Sequence, residues 1–183
     1  MTRKGDQKMD LKFGDIQETA LIPLAIKASE TARPNARIKD LKAKEIIDTL
    51  GVDVSKFDPF LSHEGVVART ILYRDELKRL LKEYPDALCL NMLCDSFSHG
   101  CLLAELHSPF LEKNSKHHDA VKNTNATFGW GTKSGKEYLE LEPRMSLVSE
   151  TSYNEEMKKH TIRGKLFAVI GKNLNNRLAV FKW

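Results

Sequence analysis

The chain has no run of apolar residues approaching the roughly 18 that a membrane-crossing helix requires. Its opening stretch, MTRKGDQKMDLK, is polar and charged and offers no apolar segment of the secretory kind. Cysteine is scarce: three in 183 residues, an odd number with no Cys-x-x-Cys pair. That argues against a disulfide scaffold and fits a reducing compartment. Charge of one sign is also lacking, since 29 basic residues face 25 acidic ones for a net of +4. An excess so small and so dispersed does not point to nucleic acid. Internal repeats and low-complexity tracts are absent. What is there is a 41% hydrophobic, 30% charged chain, with enough apolar material for a core and too much for a wholly disordered protein. The length suits one domain or one domain with a short arm. The expectation is a soluble cytoplasmic protein with neither membrane nor nucleic acid as partner.

Three regions are expected: a mobile arm over 1–12, a helical region over 13–85, and an α/β region over 86–183. From Asp15, the residues Ile16, Ala20, Leu21, Leu24 and Ala28 recur at helical steps, with a kink or break expected at Pro23. Arg33-Pro34-Asn35 closes that segment. A second helix is expected from Asp40 to Leu50, with Asp40 as cap, Leu41, Ile46, Ile47 and Leu50 as apolar stripe and Gly51 as stop. Val52 to Leu61 reads as a loop. Ser62 then opens a long helix whose Val66, Val67, Thr70, Tyr73, Leu77, Leu80, Leu81 and Tyr84 share a face, ended by Pro85.

Ala87 to Leu93 is a short, nearly unbroken apolar run of the kind found in a strand buried on both faces, the mark of a parallel sheet under helices. Cys101 to Leu106 is a second such run, and the chain is polar from Pro109 to about Asn125. Phe128 to Gly131 is turn-like, and Met145 to Tyr153 alternates weakly as a half-buried strand does. Lys165–Ile170 and Leu178–Trp183 are two further strand candidates, with Asn175-Asn176 near a turn. The class expected is α/β, a layered sheet with an N-terminal helical cap.

A series of short pieces in order carries a family resemblance. They include Glu18 to Leu24, Ala28-Ser29-Glu30 with Arg33-Pro34, Ile38-Lys39-Asp40, Ser55-Lys56-Phe57, Gly65 to Thr70 and Tyr84 to Ala87. Further along come Ser108 to Leu111, Lys116 to Lys122, Phe128 to Gly131, Ser134 to Glu137 and Glu150 to Tyr153. Through these the chain resembles the leucine carboxyl methyltransferase superfamily, and within it the tetracenomycin-type polyketide O-methyltransferases. The resemblance implies a Rossmann-like class I methyltransferase fold, S-adenosylmethionine as cofactor, and a small molecule as methyl acceptor.

One departure is large. The family carries a loop of the form Asn-Leu-Gly-x-Gly-x-Asp-Thr-Arg after its first strand, whose glycines let the backbone approach the cofactor. Here the place reads Asn91-Met92-Leu93-Cys94-Asp95-Ser96-Phe97, with Leu93 and Asp95 where the glycines would stand. Cys101 to Leu106 follows at once and resembles a much later strand. The resemblance thus implies an internal gap of roughly 90 residues, judged from domain size. It also implies an incomplete sheet of four or five strands, without the acid that binds the cofactor ribose or the adenine-binding segment. Such a sheet has an exposed edge, across which self-association into a homo-oligomer is an expectation.

Arg69 is the leading cofactor-binding candidate, because in the family the arginine of this helix pairs with the cofactor carboxylate, and a guanidinium fork suits two oxygens. The plainer reading is a surface arginine beside an amphipathic stripe. Asp95 is either a displaced remnant of the loop aspartate, and so a second cofactor-binding candidate, or the cap of a turn. Glu105 aligns with an acidic strand-end residue, or is simply a partly exposed carboxylate. Cys89, Cys94, His99 and Cys101 cluster in sequence without the spacing of a zinc knuckle, and buried free cysteine is the plainer account. His117-His118-Asp119 points to different helix faces and fits a solvated helix. Trp130, between two glycines, either contacts substrate or plugs a packing gap. No catalytic base is named and no metal is expected.

Three functions follow. The first is methyl transfer from S-adenosylmethionine to a carboxylate or hydroxyl of a small molecule, where the protein supplies proximity and in-line alignment. The second is a non-catalytic, degenerate or truncated methyltransferase-like protein. The third, a basic module for nucleic acid, lacks any supporting motif.

Overall fold

The computed structural model describes residues 19–85, 99–118, 127–172 and 174–183. They form two compact units: 19–67 with 116–118, and 68–85, 99–115, 127–172 with 174–183. The 1–12 arm, the helix start at Asp15 and the Ala87–Leu93 strand lie outside the described residues.

The first unit is helical. Helix α1 covers Leu21–Thr31 and α2 covers Leu41–Leu50. Pro23 neither kinks nor breaks α1, because it falls in the first turn, where its missing amide has no intrahelical role. Asp40 caps α2 by accepting the Ala43 amide at 2.9 Å, and Gly51 stops it at φ 63, a left-handed conformation that glycine takes without a Cβ penalty. The segment expected as a loop contains a 3-10 turn at Val54–Phe57, and α3 (Phe60–Glu83) begins two residues ahead of Ser62. Ala25, Ala28 and Ile47 form a buried core, with Leu24, Val52, Val54 and Phe57 packed around it.

Beside that core the unit buries a charged network. Arg37 donates from Nε to Glu30 Oε1 at 3.0 Å, and from Nη1 and Nη2 to Glu64 at 2.9 and 3.1 Å. Its backbone amide also donates to Glu30, at 2.7 Å. His63 sets Nε2 against Glu30 Oε2 at 2.9 Å and Nδ1 against Asp58, which accepts from Ser29 Oγ at 2.6 Å. Burial works against the charge of Glu30, but the bonds from Arg37 and His63 outweigh it and hold the carboxyl at about 2. The same two carboxylates hold the buried Arg37 above the ordinary guanidinium range.

The second unit holds a three-stranded sheet, β1 (Cys101–Leu106), β2 (Ser146–Ser152) and β3 (Arg177–Lys182), in the order β1-β3-β2. Strand β3 runs antiparallel to both neighbours, so β1 and β2 point the same way. Leu178, Ala179, Val180 and Phe181 are all buried, which places cover on both faces of β3. On one face Leu103 and Leu178 meet Ala68, Leu72 and Tyr73 of α3 together with Tyr153, Met157 and Phe167. On the other, Leu106, Ala179 and Phe181 pack against Tyr138 and Leu139 of α5 (Lys136–Leu141), which follows a short α4 (Pro109–Lys113).

The expected strand over Lys165–Ile170 is instead helical, α7 (Ile162–Ile170), directly after α6 (Tyr153–His160). Thr161 accepts the Gly164 amide at 2.8 Å and so starts a helix in a run whose composition fits either period. Helices α4, α5 and α6 are additions to the expected elements. Among the described residues no helix is long and apolar enough to cross a membrane.

Candidate functional site

Within the second unit, polar groups gather where β1 and β2 end and β3 begins. Ligands of open α/β sheets bind at that kind of place, outside the carboxyl ends of strands. Strand β1 delivers Glu105, opposite Leu178 of β3, and then His107 just beyond its end. The turn before β3 delivers Asn176, whose backbone carbonyl accepts the Tyr153 amide at 3.0 Å. Helix α3 delivers Arg69 and, one turn on, Tyr73.

Arg69 Nη1 donates to Glu105 Oε2 at 2.9 Å, and Asn176 Nδ2 donates to Glu105 Oε1 at 2.8 Å. Asn176 Nδ2 also lies 3.0 Å from His107 Nδ1. Both oxygens of the carboxylate are thereby engaged. Burial disfavours the charge on Arg69, but Glu105 outweighs it and holds the guanidinium above its ordinary range. Burial, joined by the Glu105 charge, pushes the Tyr73 hydroxyl up to about 12 and the Tyr153 hydroxyl higher still. Both phenols are therefore neutral near pH 7 and are poor general bases. The Tyr153 hydroxyl and the side-chain oxygen Oδ1 of Asn176 are buried with no hydrogen-bond partner, although Glu105 acts on Tyr153 through its charge.

Of the residues expected from the sequence, Arg69 and Glu105 come together as one ion pair. Asp95, Cys89, Cys94 and Asp119 lie outside the described residues. Cys101 is a free thiol that burial pushes up, away from the reactive thiolate. Trp130 is half exposed and stacks on Tyr138 with ring centroids 4.9 Å apart, so it is both a surface residue and a packing element. Glu150 is structural: it accepts from Ser134 Oγ at 3.0 Å and from the Gly135 amide at 2.9 Å, and pairs with Arg177 at 2.8 Å. Tyr153, Asn176 and His107 were not singled out as site residues. No spacing in the sequence links them to Arg69; the one local signal concerns Tyr73, which sits four residues after Arg69 on the same helix, the spacing of facing neighbours.

Comparison of the chain with protein-family models, with curated proteins and with solved structures finds no match.

Proposed function

We propose that this chain is a non-catalytic relative of the S-adenosylmethionine-dependent O-methyltransferases, a shortened Rossmann-like α/β protein that keeps the family's shell without an open donor site. The observation that carries this reading is the pair formed by Arg69 and Glu105 at 2.9 Å. The guanidinium that would receive the donor's carboxylate already holds one from its own chain. A donor would have to displace it and leave Glu105, which is largely buried, with only Asn176. The loop sequence supports the same reading, with Leu93 and Asp95 where cofactor-approaching glycines would stand.

A second reading, an active methyltransferase acting on a small-molecule carboxylate or hydroxyl, is favoured by a different observation. The Tyr153 hydroxyl and the Asn176 side-chain oxygen are buried and unsatisfied beside Glu105, and such groups are often completed by a ligand. Calorimetric titration with S-adenosylmethionine separates the two. The expected result is no heat up to millimolar donor, for the chain and for Arg69→Ala alike. Micromolar binding that Arg69→Ala abolishes would overturn the non-catalytic reading in favour of the enzyme.

A further inference from the structure

Helix α7 exposes an apolar face that the fold of its own unit does not use. Ile162, Leu166, Val169 and Ile170 are 85%, 61%, 78% and 72% exposed, and their spacing of four, three and one puts them on one side of the helix. The opposite side anchors it. Phe167 packs on the cluster around Met157 and Tyr153, and Gly164 lies so near α6 that a Cβ there would sit 2.4 Å from the Met157 carbonyl oxygen. The helix is thus held in place from behind, with its aliphatic stripe outward.

Charge says what the stripe suits. By helical rotation Arg163 borders it on one side and Lys165 on the other, Lys172 follows just past the end of the helix, and all three are exposed. From Met157 to Trp183 the chain has seven lysines and arginines and neither aspartate nor glutamate. The acids of the adjoining α6 are engaged within that helix, Glu155 with Lys158 and Glu156 with Lys159 and His160. A second copy of the same face would bring cation against cation, which disfavours a symmetric dimer there.

The geometry points to α7 as a surface-lying anchor for an anionic lipid bilayer. The stripe enters the boundary of the acyl region while cations on both rims reach the headgroups. This requires no spanning segment. It is also independent of whether the chain binds a methyl donor.

Sedimentation of the full chain with vesicles tests it, using phosphatidylcholine alone and phosphatidylcholine mixed equally with phosphatidylserine. Binding to the mixed vesicles only, weakening as salt rises, is expected. Leu166→Gln with Val169→Gln, both at exposed positions, should lower that binding at least about tenfold at unchanged circular dichroism. Lys165→Glu with Lys172→Glu should lower it too. Failure to sediment with either vesicle would overturn the proposal and leave the face to an acidic protein. Binding that the Leu166/Val169 variant leaves intact would overturn it as well, since net charge alone would then account for the attraction.

Discussion

In the first unit Glu30 accepts from the Arg37 side chain, the Arg37 amide and His63, while Glu64 takes the rest of the same guanidinium. In the second unit Glu105 accepts from Arg69 and Asn176, but the Tyr153 hydroxyl and the side-chain oxygen of Asn176 find no partner. Similar residue types therefore do different things. The first network is closed and ties helices together; the second is closed at its charges and open at its neutral groups. A buried pair is least replaceable where each partner has no alternative, and a site for a ligand keeps unspent hydrogen-bonding capacity. On that comparison the first cluster is a staple, while the second has its charges engaged and neutral hydrogen-bonding capacity left over.

Four changes sharpen or break the contrast. Arg37→Ala takes the guanidinium from the buried Glu64 and leaves Glu30 to His63 and Arg33, and should destabilise the first unit by about 3–5 kcal/mol in denaturant unfolding. A loss below about 1 kcal/mol would put that network in the class of surface pairs. Acid should act on the same unit next. The Glu30 carboxyl is held at about 2 against an ordinary 4.5, so its contribution is complete above 4.5 and is lost as pH falls toward 2. Amide protection across residues 21–64, taken as exchange relative to the intrinsic rate at each pH and followed by mass spectrometry, should fall within that window, which is an acceleration over the intrinsic rate. No acceleration there would break the assignment.

Arg69→Ala should cost less, about 1–2 kcal/mol, because a third of the arginine side chain is exposed and Asn176 still serves Glu105. Tyr153→Phe should have the smallest effect and the opposite sign, a gain of up to about 1 kcal/mol from removing an unsatisfied buried hydroxyl. A loss on thermal or chemical unfolding would mean that the hydroxyl has a partner after all.

The elements that local chemistry alone decides were legible in the sequence. Asp40 and Gly51 bracket α2 through a cap and a left-handed stop, both set within a few residues. The apolar runs Cys101–Leu106 and Leu178–Trp183 marked strands, but the two-sided cover expected of the first is partial, with Cys101 to Glu105 half-buried, and every described pairing is antiparallel where a parallel sheet was expected. Lys165–Ile170 misled because Leu-Phe-Ala-Val-Ile fits either period, and the Thr161 cap with the close seat of Gly164 on α6 decides for helix. The buried network of Glu30, Arg37, His63 and Glu64 left no pattern, since partners that lie 27 to 33 residues apart declare themselves only in space. Of the candidate site, Arg69 was singled out through the family resemblance alone, since its place on α3 reads equally as a surface arginine. Its pairing with Glu105 was not legible, because it depends on how the helix lies over the sheet.

A double-mutant cycle on Arg69 and Glu105, using Arg69→Ala, Glu105→Ala and the double variant in denaturant unfolding, asks most directly whether this arginine serves its own chain. Occupation of the guanidinium by Glu105 predicts a coupling of about 1–2 kcal/mol between the two substitutions. Strict additivity would contradict it and leave Arg69 free to receive a ligand's carboxylate.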